Sequence, residues 1–364
     1  VGELLRRLIS DDPSERMPEG SDALPPAEIE VIRNWLAEGA KFDGTDQDLE
    51  LTFVVPAKRY PEPPTTYHLP IPVTAVAFSP DGDQVIVSGY YELTVWETAT
   101  GSLVRRLNNI GQRTFAIRTS PEGNQIVVAG GQPGRSGEAR FLDLASGEVT
   151  AVVARSSDVA LDVAFSPDGK QLAVAGADSL IHIVDMETMK TVQLLAGHAD
   201  WVTAVVWSSD GERLVSASRD QSAKVFETKT GELLTTYSGH GAAVRGVMMA
   251  TDGTQVFSVG ADNQLHRWEA EGGKRIATVG LGGEGFHLTG NDSSVWVPVS
   301  DGRLLQIDLT KNAVEKAFEG LSDWARTAAW NPQKQQVVAG AYNGEIALWS
   351  LADVEALNRW VARP

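Results

Sequence analysis

A short turn signal recurs along most of this chain at a nearly constant interval. It reads SPDG at Ser79 and Ser166, SPEG at Ser120, SSDG at Ser208 and ATDG at Ala250, with weaker copies at Asn291 and Asn331. Successive copies lie 41, 46, 42, 42, 41 and 40 residues apart. A repeat of this length indicates an array of similar units, because one such small unit cannot bury its apolar surface alone.

The best-formed repeat, residues 201–240, shows what each unit is. It contains the runs WVTAVVW, RLVSAS, AKVFE and ELLTTYS, separated by turn residues. Alternating apolar and polar residues between Ser-Asp-Gly and Lys-Thr-Gly turns predict four short antiparallel strands. Seven turn signals therefore predict an all-β ring of seven four-stranded blades. Closing the ring removes exposed sheet edges.

Residues at fixed places in the unit carry a family resemblance. Gly-His pairs end at His198 and His240 before first strands, Asp220 and Asp262 follow second strands, and Trp268 ends a third strand. With these residues the chain resembles the WD-repeat family of β-propellers over roughly residues 65–351. In that family a His, a Ser or Thr, an Asp and a Trp form a hydrogen-bonded network inside each blade.

The resemblance assigns structural roles to individual residues. It places His198, Ser218 and Asp220 in the network of the fourth blade, where Phe226 takes the Trp position. In the fifth blade it places His240, Asp262 and Trp268, with Gly260 where the hydroxyl is expected. We therefore expect no blade to contain all four residue types, and the repeats to be degenerate.

Residues 1–40 do not follow the repeat. Leu4, Leu5 and Leu8 have helical spacing, and a Pro-Pro pair opens a second amphipathic helix that ends at Gly39. The loop between the helices contains Met17 followed by Pro18. Two short helices bury too little surface to form a core alone.

This order of parts resembles the C-terminal half of a class I cytochrome c, and most closely the planctomycete-type domain that is often fused to a propeller. The resemblance covers about forty residues and implies that Met17 is an axial haem ligand in a complete domain. Covalent haem attachment also needs C-x-x-C-H, and this sequence has no cysteine. We expect no cofactor on this chain, and haem c only in a longer protein that extends upstream. The alternative is an ordinary loop methionine.

These assignments divide the chain into four parts. They are a partial cytochrome c-like segment over 1–42, a linker over 43–64, the propeller over 65–351, and a C-terminal helix or tail over 352–364. The last repeat lacks an evident fourth strand, because residues 351–360 read as a helix. We expect residues 65–69 to supply the outer strand of the seventh blade and so to close the ring.

The net charge and the composition limit which classes of partner the protein can bind. The formal net charge is −17, which disfavours nucleic acid and anionic membrane surfaces. No apolar run is long enough to span a bilayer. The absence of cysteine excludes thiolate metal sites and cysteine nucleophiles, and the six histidines lack metal-ligand spacing. We expect a protein partner and no metal; the oligomeric state stays open.

One set of residues has the composition of a hydrolase catalytic triad. His198, Ser218 and Asp220 are the residue types of a catalytic triad, but the chain has no G-x-S-x-G nucleophile turn. We interpret the set as the structural network of a blade, and predict that the protein is not an enzyme.

The expected partner surface lies on the face that carries the loops before first strands and between second and third strands. Trp, Tyr and Arg are the residue types that anchor protein interfaces. The candidates on this face are Trp201, Arg219, Trp324, Tyr342, Tyr90, Arg113 and Arg135. The alternative is that the tryptophans pack flat over their own blades. Arg113, Arg135 and Arg140 are expected to form a basic spot.

The first functional hypothesis is a non-catalytic interaction propeller fused to a c-type cytochrome domain that is incomplete here. The alternatives are an electron carrier whose propeller docks a redox partner, and a propeller hydrolase. We expect a bacterial protein of the periplasm or cell envelope, with the cytoplasm as the alternative.

Overall fold

The computed structural model describes residues 2–12, 14–17, 22–40 and 57–364, which belong to two units. The first extends over Val1–Lys58 and the second over Arg59–Pro364. Most of the expected linker, residues 43–56, lies outside the described residues.

The first unit contains two helices, α1 at Gly2–Leu8 and α2 at Pro26–Ala37. Pro26 is the first residue of α2, where its missing N–H costs no hydrogen bond. Leu8 and Leu36 are buried, while Met17 and Trp35 are exposed. The helices are shorter than a membrane span requires, so no helix of the described part of the chain could cross a bilayer.

The second unit contains 28 strands in seven sheets. The strands of blades 1 to 3 are β1 Val76–Phe78, β2 Gln84–Ser88, β3 Leu93–Glu97, β4 Leu103–Leu107, β5 Arg113–Thr119, β6 Gln125–Gln132, β7 Ser136–Asp143, β8 Val149–Ser156, β9 Ala160–Phe165, β10 Gln171–Gly176, β11 Leu180–Asp185 and β12 Lys190–Ala196.

The strands of blades 4 to 7 are β13 Val202–Trp207, β14 Arg213–Ser218, β15 Ala223–Glu227, β16 Leu233–Tyr237, β17 Val244–Met249, β18 Gln255–Gly260, β19 Gln264–Glu269, β20 Arg275–Gly280, β21 Thr289–Gly290, β22 Ser294–Pro298, β23 Leu304–Asp308, β24 Ala313–Phe318, β25 Ala325–Asn331, β26 Gln336–Ala341, β27 Glu345–Ser350 and β28 Ala356–Val361.

Each sheet is built from four consecutive antiparallel strands, and neighbouring blades pack face to face. The first strands of all seven blades surround one central channel. The prediction of an all-β, seven-bladed propeller is confirmed.

The recurring turn has a local cause, shown by blade 3. The Ser166 hydroxyl donates to Asp168 Oδ1 at 2.7 Å and accepts a hydrogen bond from the Gln171 backbone N–H at 2.9 Å. Gly169 has φ of +70°, a conformation that favours glycine. Ser, Asp and Gly at this spacing therefore form a tight turn between the first and second strands.

The expected outer strand of blade 7 is wrong. Strand β28 pairs with β27, so the blade is completed by residues from the C-terminal segment that we expected to be a helix or tail. Local sequence allows a helix there, but the open edge of β27 offers unpaired backbone groups that a strand satisfies. Side chains of β28 alternate between half-buried and exposed, as expected for an outer strand.

Residues 65–69 instead run over blade 1. Tyr67 is buried and its hydroxyl donates to the Tyr90 carbonyl oxygen at 3.1 Å and to the Glu92 carboxylate. The Arg106 guanidinium donates to the Pro64 carbonyl oxygen at 2.6 Å. This segment therefore covers a blade without adding a strand.

The ring closes by packing between blades 7 and 1. One apolar cluster crosses this seam and includes Val73, Val85, Trp96, Ile346 and Leu348, with Trp360 packed against it. The Val73 N–H donates to the Ala341 carbonyl oxygen at 3.0 Å. No strand of the described residues is shared between the two blades.

Trp360→Ala should lower the free energy of unfolding by about 2 kcal/mol, because it removes half-buried aromatic surface from the seam. Leu357→Ala is the matched control: Leu357 lies on the same strand but is 57% exposed, so its loss should stay within about 0.5 kcal/mol. Urea denaturation measures both. Equal losses would contradict the assignment of β28 to the seam.

Candidate functional site

Blade 5 contains a complete chain of hydrogen bonds through four side chains. The Trp268 indole N–H donates to Ser258 Oγ at 3.1 Å, and the Ser258 hydroxyl donates to His240 Nε2 at 2.8 Å. His240 Nδ1–H then donates to Asp262 Oδ2 at 2.8 Å. The directions follow because an indole only donates and a carboxylate only accepts. The expectation that no blade contains all four residue types is therefore wrong.

In blade 4 the hydroxyl comes from a different serine than expected. Ser216 Oγ, and not Ser218 Oγ, lies 2.7 Å from His198 Nε2, while His198 Nδ1 lies 2.9 Å from Asp220 Oδ2. The Ser218 hydroxyl instead donates to the Asp200 carbonyl oxygen at 3.1 Å. Residues two apart point to the same face of a strand, so alternation alone could not separate the two serines.

Burial makes this set structural. The His198 side chain is 1% exposed and Ser216 is fully buried. Burial lowers the pKa of His198, although Asp220 opposes the shift. Burial alone would raise the pKa of Asp220, but hydrogen bonds from Ser222, from a backbone N–H and from His198 bring it down to about 2. A substrate cannot reach these atoms, so the network stabilises the blade.

A second histidine approaches the carboxylate of blade 5. His266 Nδ1 accepts the Tyr237 O–H at 2.7 Å, while its buried Nε2 lies 3.5 Å from Asp262 Oδ2 without a hydrogen bond. Burial is the main cause that lowers the pKa of His266 to about 4, and the nearby His240 contributes to the same shift. In blade 3, His182 occupies the same strand position and binds Asp178 at 2.9 Å. Blade 5 thus has two imidazoles for one carboxylate.

His240, Asp262 and His266 also have metal-ligating atoms within 4.8 Å of one another. The two imidazole rings are stacked, however, with centroids 3.8 Å apart and planes at 17°. Each nitrogen lone pair lies in the plane of its ring, so two nearly parallel planes this far apart cannot both contain one zinc ion about 2.0–2.1 Å from each nitrogen. This arrangement is a packed pair of histidines and not a metal centre.

Of the three arginines expected to form a basic spot on blade 2, Arg140 is not at the surface. Arg140 is 2% exposed, donates to Glu138 Oε1 at 2.5 Å, and lies 4.6 Å from the centroid of the Tyr60 ring. The extra residues of this blade lengthen β6 and β7 to eight residues each and do not form a long loop. Arg135 is exposed at the hairpin turn, and Arg113 lies 5.7 Å from the Tyr90 ring centroid.

The other partner-surface candidates lie in two groups on one face. Arg219 stacks over the Trp201 ring at 4.1 Å and donates to Asp200 Oδ2 at 2.8 Å. On blade 7, Trp324 and Tyr342 are 48% and 52% exposed, with ring centroids 6.2 Å apart. Two large aromatic side chains that stay half in water beside each other form an apolar patch suited to a contact.

Sequence reasoning missed the residues at the channel mouth. In each blade the residue five positions before the turn signal lines the channel mouth. These residues are Thr74, Phe115, Leu161, Thr203, Arg245, Phe286 and Arg326. In blades 2, 3, 4, 5 and 7 the strand pairing skips this residue. Such a β-bulge re-aims a side chain, here toward the channel. The fixed spacing of five residues was the available signal.

The mouth joins the exposed aromatic pair. Trp324 stacks on Phe286, with centroids 6.1 Å apart and planes at 24°. The guanidinium carbons of Arg245 and Arg326 lie 4.6 and 4.3 Å from the Phe286 ring centroid. One continuous set of aromatic and arginine side chains therefore runs from the outer face into the channel.

Comparison with known proteins agrees with this geometry. The family model "WD domain, G-beta repeat" matches residues 64–96, 148–185, 189–227 and 231–269. These segments are WD40 repeats. Three of them begin in the outer strand of one blade and end in the third strand of the next. WD40 propellers are generally non-catalytic interaction scaffolds.

A curated relative is more distant. The chain is 28% identical over 120 residues to the "WD repeat-containing protein WDS homolog" of Arabidopsis thaliana. The match covers 32% of this chain and 23% of that relative. It therefore supports the WD40 repeats and carries no argument about the whole relative.

Met17 lies in the first unit, where its backbone N–H donates to the Arg7 carbonyl oxygen at 3.0 Å and its side chain is 38% exposed. A c-type haem would need two thioether-forming cysteines and a histidine near it. The sequence has no cysteine, and its first histidine is His68, which belongs to the second unit. The residues present do not make a haem site.

His198→Ala should lower the free energy of unfolding by about 1–3 kcal/mol, because it leaves the buried Ser216 hydroxyl without its imidazole partner and removes one hydrogen bond from Asp220. His68→Ala, at an exposed position, is the control and should change stability by less than about 0.5 kcal/mol. Chemical denaturation compares the two. A His198 variant as stable as the control would exclude a structural network.

The depressed pKa of His266 predicts acid sensitivity. The folded state holds this imidazole neutral down to about pH 4, whereas an unfolded chain protonates it near pH 6.5. Its contribution is thus complete above about pH 6.5 and is lost as the pH falls toward 4, by up to about 1.4 kcal/mol per pH unit.

Unfolding of His266→Gln, followed between pH 7 and 4.5, should therefore show a shallower loss of stability than the wild type. His240 and His287 remain in the variant and also have lowered pKa values, so the slope should shrink without vanishing. Parallel curves for the two proteins would contradict the assignment.

Proposed function

We propose that this WD40 propeller is a non-catalytic scaffold that binds a protein partner on the face bearing Trp201, Arg219, Trp324 and Tyr342. The observation that carries the proposal is the half-exposed Trp324–Tyr342 pair, which continues through Phe286 into the channel mouth. Interfaces gain most of their affinity from a few such aromatic and arginine anchors. Tyr90, Arg113 and Arg135 extend the same face on blades 1 and 2.

The second pair supports the same face. Arg219 is held over Trp201 by its bond to Asp200, so the ring and the guanidinium form a pre-ordered contact that loses little conformational freedom on binding. The alternative, in which the tryptophans lie flat on their own blades, accounts less well for Trp324, which is 48% exposed.

The fusion to a c-type cytochrome domain, and with it the electron-carrier function, stays a prediction from the resemblance of residues 1–40. A location in the periplasm or cell envelope rests on the same resemblance. A longer protein that includes the upstream C-x-x-C-H motif should show a haem absorbance spectrum, and Met17→Ala should remove its Met–iron band. The hydrolase alternative is not favoured, because its candidate residues are buried.

A photo-reactive phenylalanine analogue at Tyr342 should form a covalent adduct with one partner in cells of the native host. The same analogue at exposed Lys229, in a turn on the opposite face, is the matched control and should give no such adduct. Trp324→Ala should weaken partner binding about 30-fold, the size of a typical hot-spot loss. Adducts that form equally at both sites, or a partner affinity that Trp324→Ala leaves unchanged, would overturn the proposal.

A further inference from the structure

Four arginines lie at or near the mouth of the central channel in a protein with a net charge of −17. Three of them have carboxylate partners. Arg118 bonds Asp162 at 2.9 Å, Arg219 bonds Asp200 at 2.8 Å, and Arg245 bonds Glu284 at 2.7 Å.

Arg326 is the cation without such a partner. Within the described part of the chain, no carboxylate lies at ion-pair distance from its guanidinium, which packs on Phe286 with its central carbon 4.3 Å from the ring centroid. The side chain is half-buried at a β-bulge, and aimed into the channel mouth. Burial and the charge of Arg245 lower the pKa of Arg326. An anion beside it would offset the loss of hydration.

The surrounding cavity limits what that anion can be. Its volume is about 310 Å³, and Phe115, Leu161 and Phe286 give it an apolar wall, with Thr74 and Thr203 as hydroxyl groups. A space of this size is large enough to admit a side chain of a partner protein. A single unpaired guanidinium matches a single carboxylate, whereas a phosphate dianion or a polyanion would bring more negative charge to an already acidic protein.

We propose that the channel mouth binds the carboxylate of one Asp or Glu side chain presented by a protein partner, with Arg326 as the binding residue. The planar guanidinium can donate two parallel hydrogen bonds to such a group. This inference rests on the proposed function, because the segment carrying the acid would lie across Trp324 and Tyr342. Arg245 adds positive charge beside Phe286, but keeps its own bond to Glu284.

Random octapeptides displayed on phage and selected on the wild-type protein provide the test. Selected peptides should share an Asp or Glu at one position. Fluorescence anisotropy with the best peptide should show at least about tenfold weaker binding when that acid is replaced by its amide. Arg326→Gln should cause a similar loss, and the two changes together little more than either alone, because they remove the same contact.

Lys170→Gln is the matched control, since it removes one positive charge from an exposed turn on the opposite face. It should leave binding unchanged. If Arg326→Gln unfolds, Arg326→Lys serves instead: it keeps the charge but loses the fork, and should still weaken binding of the acidic peptide several-fold. Thermal unfolding of each variant verifies the fold.

Several results would overturn the proposal. One is a selection that yields no binder, or binders that share no acidic residue. Another is a double change in which the losses from the amide peptide and from Arg326→Gln add in full. A third is inorganic phosphate that displaces the peptide from the channel mouth. Peptides that need Trp324 but no acid would overturn this inference alone. The proposed function fails separately, when the analogue at Tyr342 cross-links no partner.

Discussion

The structure depends on the burial of the apolar faces of each blade against its neighbouring blades. A four-stranded blade has two apolar faces, and most side chains of its second and third strands are buried. The clusters that hold the core accordingly combine residues of adjacent blades, as in the set that joins Val174 of blade 3 to Val127 of blade 2. Each blade is stable because its neighbours are present, and this makes closure of the ring decisive.

The polar networks of the same blades provide partners for buried carboxylates. An acid lies near the start of the third strand in each of blades 1 to 5, and its partner differs: Arg106 for Glu92, Arg140 for Glu138, and a histidine in the next three. Buried carboxylates require such partners. The partner can change from blade to blade without altering the strand pairing, which explains why degenerate repeats still form similar blades.

Sequence reasoning predicted the number of blades and the position of each first turn, because Ser-Asp-Gly chemistry acts within five residues. It failed where distant residues decide. Residues 356–361 form a strand because β27 presents an open edge. His198 contacts Ser216 and not Ser218, because the Ser218 hydroxyl donates to the Asp200 carbonyl oxygen. The sequence predicted Arg140 to be a surface cation, but the long hairpin of blade 2 and Tyr60 bury its side chain. For the site, the aromatic and arginine types were visible in the sequence, but the bulges that turn Arg245 and Arg326 into the channel were not.

The way the ring closes has a mechanical consequence. Propeller strands here run in order from the channel to the perimeter, so the chain enters blade 1 near the axis and leaves blade 7 at its outermost strand. Tension applied between these two points would load β28 first, and its hydrogen bonds to β27 would break one after another. Seam contacts between Trp360 and Trp96 would be lost in the same event, because no strand among the described residues is shared between blades 7 and 1. The propeller therefore has a defined point of mechanical opening, at the perimeter of its last blade.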